Sequence, residues 1–302
     1  MADHTVTTSL RGILPATITP FDDSERFAPA VFERLLERLY GAGVHGIYVC
    51  GSTGEGMLQP LAQRQAIVET AVACTPRDRH VVVHVGAASL EEALALSSHA
   101  AKAGAHAISS LPPLAGRFSF SEVLAYYDAL ARGSDLPLLV YYFPEVSASI
   151  TTTDQLETLC ALPNVIGLKF TDFDLFRMAQ VRGAGRSIFN GRDEVLAAGL
   201  LMGADGGIGT FYNLVPELFV DIHAAAGAGR WEEARTLQER VNALIALTLR
   251  FPVFPAVKQM LAWSGLDCGA CLPPRTRLDE EQQRLLSVSL VEAGFLELVA
   301  PS

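Results

Sequence analysis

The sequence predicts an α/β protein, a (β/α)8 TIM barrel with a C-terminal helical appendage, on three observations. Eight short apolar, β-favouring runs alternate with segments of helical spacing within about 225 residues. Strand signals stop after about residue 226, while helical patterns continue. No G-x-G-x-x-G follows the first run, and a doubly wound open sheet would usually have fewer units and carry such a phosphate fingerprint.

The β-favouring runs are residues 13–19, 46–50, 81–85, 107–110, 138–142, 165–169, 187–190 and 206–210. After the first, Val31, Phe32, Leu35, Leu36, Leu39 and Tyr40 recur at helical spacing until Gly41 and Gly43 stop the helix. Pro60 suits the first turn of the next helix, where a missing N–H costs nothing. Ser89-x-x-Glu92 and Ser119-x-x-Glu122 are capping-box patterns at two further helix starts. Beyond the last run, residues 229–250, 254–264 and 279–298 read as helices, separated by Phe251-Pro252 and the Pro273-Pro274 region. The expected division is a barrel carrying the active site over residues 1–226 and a helical region over 227–302.

Half of the 302 residues are hydrophobic, ample for a sizeable core. Lys and Arg number 23 against 33 Asp and Glu, a formal charge of −10 with neither sign gathered into a block. That argues against nucleic acid, whose binding rests on clustered basic residues. The five cysteines are scattered and odd in number, which fits a reducing cytoplasm better than a disulfide framework. Cys268-x-x-Cys271 lacks a second ligand pair and reads as loop, so no metal site is expected. Residues 1–15 hold no secretory signal, and no run of about eighteen apolar residues suggests a membrane span.

In such a barrel, chemistry gathers at the C-terminal ends of the strands. Lys169 ends the otherwise apolar run Val165-Ile166-Gly167-Leu168-Lys169, and the period of two puts Gly167, Lys169 and Thr171 on one face. An amine in a poorly solvated barrel mouth has its charged form disfavoured, which frees the lone pair for attack. A lysine there can equally snorkel to solvent. Tyr141 and Tyr142 close the preceding strand, and only one of them can face the interior to relay a proton.

Cys50-Gly51-Ser52-Thr53-Gly54-Glu55-Gly56 follows the second strand; its glycines let backbone N–H groups converge on an anion, beside two hydroxyls. Asn190-Gly191-Arg192-Asp193-Glu194 follows the seventh, where two carboxylates can accept hydrogen bonds from a polyol or simply cap a helix. Gly206-Gly207-Ile208-Gly209-Thr210 ends the eighth with exposed backbone and a hydroxyl.

Together these residues resemble the family of pyruvate-dependent class I aldolases that includes dihydrodipicolinate synthase and N-acetylneuraminate lyase, over nearly the whole chain from Gly12. The resemblance implies that Lys169 forms the Schiff base, that Tyr141 (chosen over Tyr142 by the Tyr-x-x-Pro register) relays the proton, and that Gly51, Ser52, Thr53 and Gly54 hold the carboxylate. His84-Val85-Gly86-Ala87, Gly191-x-Asp193-Glu194 and Gly207-Ile208-Gly209-Thr210-x-Tyr212-Asn213 are similar to the lyase branch. Thr171, Gly191, Asp193, Glu194, Gly209 and Thr210 are thereby implied to orient the polyhydroxyl chain of a sugar acid.

Val146 stands where the synthase branch places an arginine, so the guanidinium fork for a second carboxylate is missing there. The loop 112–117 lacks the tyrosine that the family often lends to a neighbouring subunit, and Glu145 and Ala148 replace small residues. The implied reaction cleaves N-acetylneuraminate or a related sugar acid to pyruvate and an aldose in a cytoplasmic homotetramer. The protonated imine is its own electron sink, so neither metal nor organic cofactor is required. Two other readings remain. One is another 2-oxo-acid aldolase or dehydratase of the same family, acting on a 2-keto-3-deoxy sugar acid or, more weakly given Val146, as a dihydrodipicolinate synthase. The other is a non-catalytic keto-acid-binding or scaffold protein.

Overall fold

The computed structural model describes residues 10–114 and 116–299. The extreme N-terminus and Ala115 of the loop 112–117 therefore lie outside the described residues. Eight parallel strands run β1 (Gly12–Pro15), β2 (Gly46–Val49), β3 (His80–His84), β4 (Ala107–Ser110), β5 (Leu138–Tyr142), β6 (Val165–Phe170), β7 (Ser187–Asn190) and β8 (Gly206–Gly209). Each is followed by a helix: α1 (Pro29–Gly41), α2 (Leu61–Cys74), α3 (Leu90–Ala103), α4 (Phe120–Arg132), α5 (Thr153–Cys160), α6 (Leu175–Gln180), α7 (Leu196–Leu201) and α8 (Pro216–Gly227). Then come α9 (Trp231–Thr248), α10 (Val253–Trp263) and α11 (Glu280–Glu292).

The strand order is β1-β8-β7-β6-β5-β4-β3-β2. The sheet closes on itself where β1 meets β2: His45 N–H donates to Ile13 O at 2.9 Å, Thr17 N–H donates to Tyr48 O at 3.0 Å, and Ala16 bridges Tyr48. The predicted TIM barrel is what the chain forms. Side-chain alternation splits the apolar residues into two layers. Leu14, Tyr48, Val82, Leu139, Tyr141 and Phe189 fill the barrel interior, whereas Ile13, Ile47, Val83, Val140 and Tyr142 face the helices. Burial of both faces explains why the strands read as continuous apolar runs.

Several boundaries differ from the sequence reading, for local reasons. Pro60 is the residue before α2 rather than within its first turn. Ser119 and Glu122 complete a reciprocal capping box, while at Ser89 only the half accepted from the Glu92 N–H forms. The run expected over 279–298 breaks because Gly294 takes φ +75°, leaving a single 3₁₀ turn at Leu296–Leu298. The Cys268–Cys271 stretch is loop, with both thiols free and buried, and Phe21 N–H donates to Cys268 O at 3.0 Å. Among the described residues no cluster suited to a metal ion occurs, and no single helix is long and apolar enough to cross a membrane.

Candidate active site

The strand-end residues converge on a cavity of about 330 Å³ at the C-terminal mouth of the barrel. Lys169, Tyr141, Ser52, Thr53, Thr171, Gly191, Asp193, Glu194, Gly209 and Thr210 all line it. Gly51 and Gly54 do not. Gly54 lies behind the wall, where its carbonyl accepts from Thr19 Oγ1 at 2.8 Å and Gln59 Nε2 at 2.6 Å. These two bonds fix the Gly54–Glu55 peptide, while Ser52 and Thr53 face the cavity.

Lys169 stands at the base of the site, 4% exposed, with no ion pair among the described residues. Its Nζ lies 3.9 Å from the centroid of the Tyr141 ring and 4.2 Å from that of Tyr48. Two ring faces at that distance favour a cationic group at this point. Tyr48 was not singled out by sequence, because it lies in mid-barrel and reads as core. His84 completes the aromatic floor, edge-to-face with Tyr141 at 6.1 Å. Burial, and then the positive charges of Arg64 and Lys169, push the His84 imidazole well below its ordinary range, so it stays neutral. Its Nε2 accepts the Leu111 N–H at 3.2 Å.

Register places one of the adjacent tyrosines inside the barrel and the other outside it. Tyr141 pairs with Lys169 across β5 and β6 and points inward. Tyr142 points to the helices, where its hydroxyl accepts from Arg177 Nη1 at 2.7 Å and donates to Asp172 Oδ2 at 3.2 Å.

The adjoining wall is built by close approach of the ends of β6, β7 and β8. A Cβ on Gly191 would sit 2.1 Å from Thr171 Oγ1, and one on Gly209 would sit 1.8 Å from Asp193 Oδ1. Only glycine fits at either point. Asp193 is buried, and its Oδ2 accepts the Phe211 N–H at 2.8 Å. Burial pushes its carboxyl up to about 7 against that hydrogen bond. Asp193 is thus both a brace between the ends of β7 and β8 and a cavity-lining carboxyl. Thr53 and Thr210 share a hydroxyl hydrogen bond of 2.7 Å, which joins the Gly/Ser loop to the end of β8. Thr171 Oγ1 and Arg192 Nε are buried with no partner among the described residues, so this wall keeps free hydrogen-bonding capacity.

Sequence reasoning missed part of the lining. Arg192 lines the cavity with its guanidinium between the rings of Phe173 (4.4 Å) and Phe143 (5.3 Å), and it pairs with Glu145. Phe143 in turn stacks on Tyr141 at 6.0 Å. Leu249, Val253 and Phe254 reach the cavity from the C-terminal helical region. The signal for Arg192 was present in the motif itself, as a charged residue between Gly191 and Asp193; the three apolar residues had none.

Comparison with known proteins gives the family and the fold. The profile of the dihydrodipicolinate synthetase family matches residues 9–293. The chain is 40% identical over 273 residues to the N-acetylneuraminate lyase of Rhizobium meliloti (strain 1021), covering 90% of this chain and 91% of that protein. In structure it is similar to the sialic acid aldolase of Ruminococcus gnavus, with a TM-score of 0.89 and 26% identity over 94% of this chain and 98% of that one. It is likewise similar to CdNal of Clostridium difficile, solved in complex with mannosamine, with a TM-score of 0.90 and 26% identity over 95% of this chain and 100% of that one.

Proposed function

The chain belongs to the dihydrodipicolinate synthetase family, and from that premise we propose that it is a class I, pyruvate-dependent sialate aldolase. It is a carbon–carbon lyase that cleaves N-acetylneuraminate, or a close sugar-acid relative, to pyruvate and an aldose. The observation that carries the reading is the placement of one buried lysine, with no ion pair among the described residues, against Tyr141 at the base of a cavity lined by hydroxyl and carboxyl groups and by donors without a partner among those residues.

The Lys169 amine attacks C2 of the open-chain substrate, and loss of water from the carbinolamine gives a protonated imine. Ser52 and Thr53, with amides of the same turn, receive the C1 carboxylate. Tyr141, directly or through that carboxylate, takes the C4 hydroxyl proton as the C3–C4 bond breaks. The bonding electrons pass into the imine to form an enamine, and the aldose leaves with its new carbonyl at the former C4. Protonation at C3 and hydrolysis then release pyruvate and restore the amine. No step calls for a metal or an organic cofactor. Thr171, Gly191, Asp193, Glu194, Gly209 and Thr210 orient the polyhydroxyl tail; the unpartnered Thr171 hydroxyl supports that role.

On the same reading, residues 1–226 are the barrel that carries the site and 227–302 a helical region packed on it. Residence in the cytoplasm is supported by five free cysteines. Assembly as a homotetramer is supported by Phe173, just before α6, and Phe176, in its first turn, 51% and 70% exposed. Incubation with N-acetylneuraminate tests the function: pyruvate and N-acetylmannosamine form together. Release of pyruvate only from 2-keto-3-deoxy sugar acids would reassign the substrate, and release from none would refute the reading.

A further inference from the structure

The turn that presents Ser52 and Thr53 is bracketed by two non-glycine residues in the left-handed region, Cys50 at φ +60° and Glu55 at φ +56°. Such a conformation persists only where surrounding contacts over-determine it. At the Glu55 end those contacts come from far along the chain. The Glu55 carboxylate is wholly buried; its Oε2 accepts from the Leu272 N–H at 2.8 Å and from Arg275 Nη1 at 3.0 Å, and its Oε1 lies 3.2 Å from Lys258 Nζ. Lys258 is 3% exposed, donates to Ala270 O at 2.8 Å and lies 4.3 Å from the Phe21 ring centroid. Arg275 stacks 4.6 Å from the Phe254 ring, and Phe254 lines the cavity.

One helix, α10, thus supplies a wall of the cavity through Val253 and Phe254 and a buried cation for the turn through Lys258. A solvent-exposed glutamate would hold the turn loosely. A buried one, ligated by two cations and an amide, can move only with the residues that ligate it.

We infer that Glu55 is a positioning residue: through Lys258, Arg275 and the Leu272 amide, the C-terminal helical region fixes where Ser52 and Thr53 stand. It thereby sets the affinity of the site for the carboxylate that every 2-oxo acid shares. The inference rests on the reading of this turn as the carboxylate seat. It predicts a defect confined to the keto-acid half of the reaction, which a purely structural role for Glu55 does not.

The test is the pyruvate dependence of borohydride trapping at Lys169, with KM for N-acetylmannosamine measured in the condensation direction. Glu55→Gln keeps the size and the acceptor for Leu272 but removes the charge. Glu55→Gln combined with Lys258→Met also removes the buried cation left unpaired, and so provides a folded variant if the single one fails to fold. In whichever variants fold, half-saturation for pyruvate and for 2-oxobutyrate should rise together by about tenfold or more, with trapping at saturation and KM for the aldose held within about threefold. Wild-type half-saturation in the folded double variant would overturn the inference. A loss confined to the saturated rate would overturn it equally. Absence of any adduct in the wild type would instead strike at the proposed function itself.

Discussion

Asp193→Asn isolates the most perturbed acid of the site. The carboxyl is buried between the ends of β7 and β8 and titrates at about 7 instead of 3.8, chiefly because burial penalises its charged form. The native state therefore keeps a proton that the unfolded chain releases near pH 4, and this group's contribution to stability falls as pH rises between those values. Each pH unit of that interval costs the native state ~1.4 kcal/mol, so the whole interval is worth ~4 kcal/mol, lost in full above pH ~7. Asparagine keeps an oxygen acceptor for the Phe211 N–H, bonded at 2.8 Å in the parent, and has no proton to lose.

The assay is urea unfolding of both proteins in steps from pH ~4 to ~8, at one protein concentration so that assembly does not enter the comparison. Plotted as variant minus parent, stability should climb by ~4 kcal/mol up to pH ~7 and then level off. Other titrating groups cancel in the difference. A difference curve flat with pH, or one that falls as pH rises, would refute the account of Asp193 as an acid held neutral by burial.

Tyr141→Phe should lower cleavage about a hundredfold or more, while Tyr142→Phe, which loses only its Arg177 and Asp172 contacts outside the barrel, should stay within a few-fold by steady-state assay. Gly191→Ala drives a methyl into Thr171 Oγ1, 2.1 Å from the new Cβ; KM for the sugar acid should rise while borohydride trapping of pyruvate persists. His45 is held down to about 4, mainly by burial and then by His223 and Arg79, so the stability it contributes above pH ~6.5 is lost as pH falls toward 4. A His45→Gln variant should accordingly show a flatter acid limb of thermal unfolding than the parent.

The strand ends were legible because two rules act on few residues. Eight apolar runs divided by helical spacing imply a barrel, and the barrel implies where polar strand-end residues such as Lys169 and Tyr141 meet. Alternation leaves Tyr141 and Tyr142 as a pair of candidates; the ladder sets Tyr141 beside Lys169 inside the barrel and turns Tyr142 toward the helices. What escaped was long-range. Glu55 reads as one more loop residue until its partner Arg275, 220 positions away, is in view. Leu249, Val253 and Phe254 look like helix core, and only the docking of α9 and α10 over the mouth turns them into cavity wall. Glycine spacing alone does not separate the face of a turn from its back, and the Gly54 carbonyl turns away from the cavity to Thr19 and Gln59. Arg192 stands out less than the carboxylates beside it in the sequence, yet its guanidinium, held between two aromatic rings, lines the same cavity.

The central claim is that Lys169 bonds covalently to a 2-oxo acid, and reduction of the protein with borohydride in the presence of pyruvate tests it most directly. The account predicts a stable mass increase equal to one reduced pyruvyl group, mapped to the peptide containing Lys169 and absent from Lys169→Ala. An unmodified Lys169, or an adduct on another lysine that survives Lys169→Ala, would contradict it.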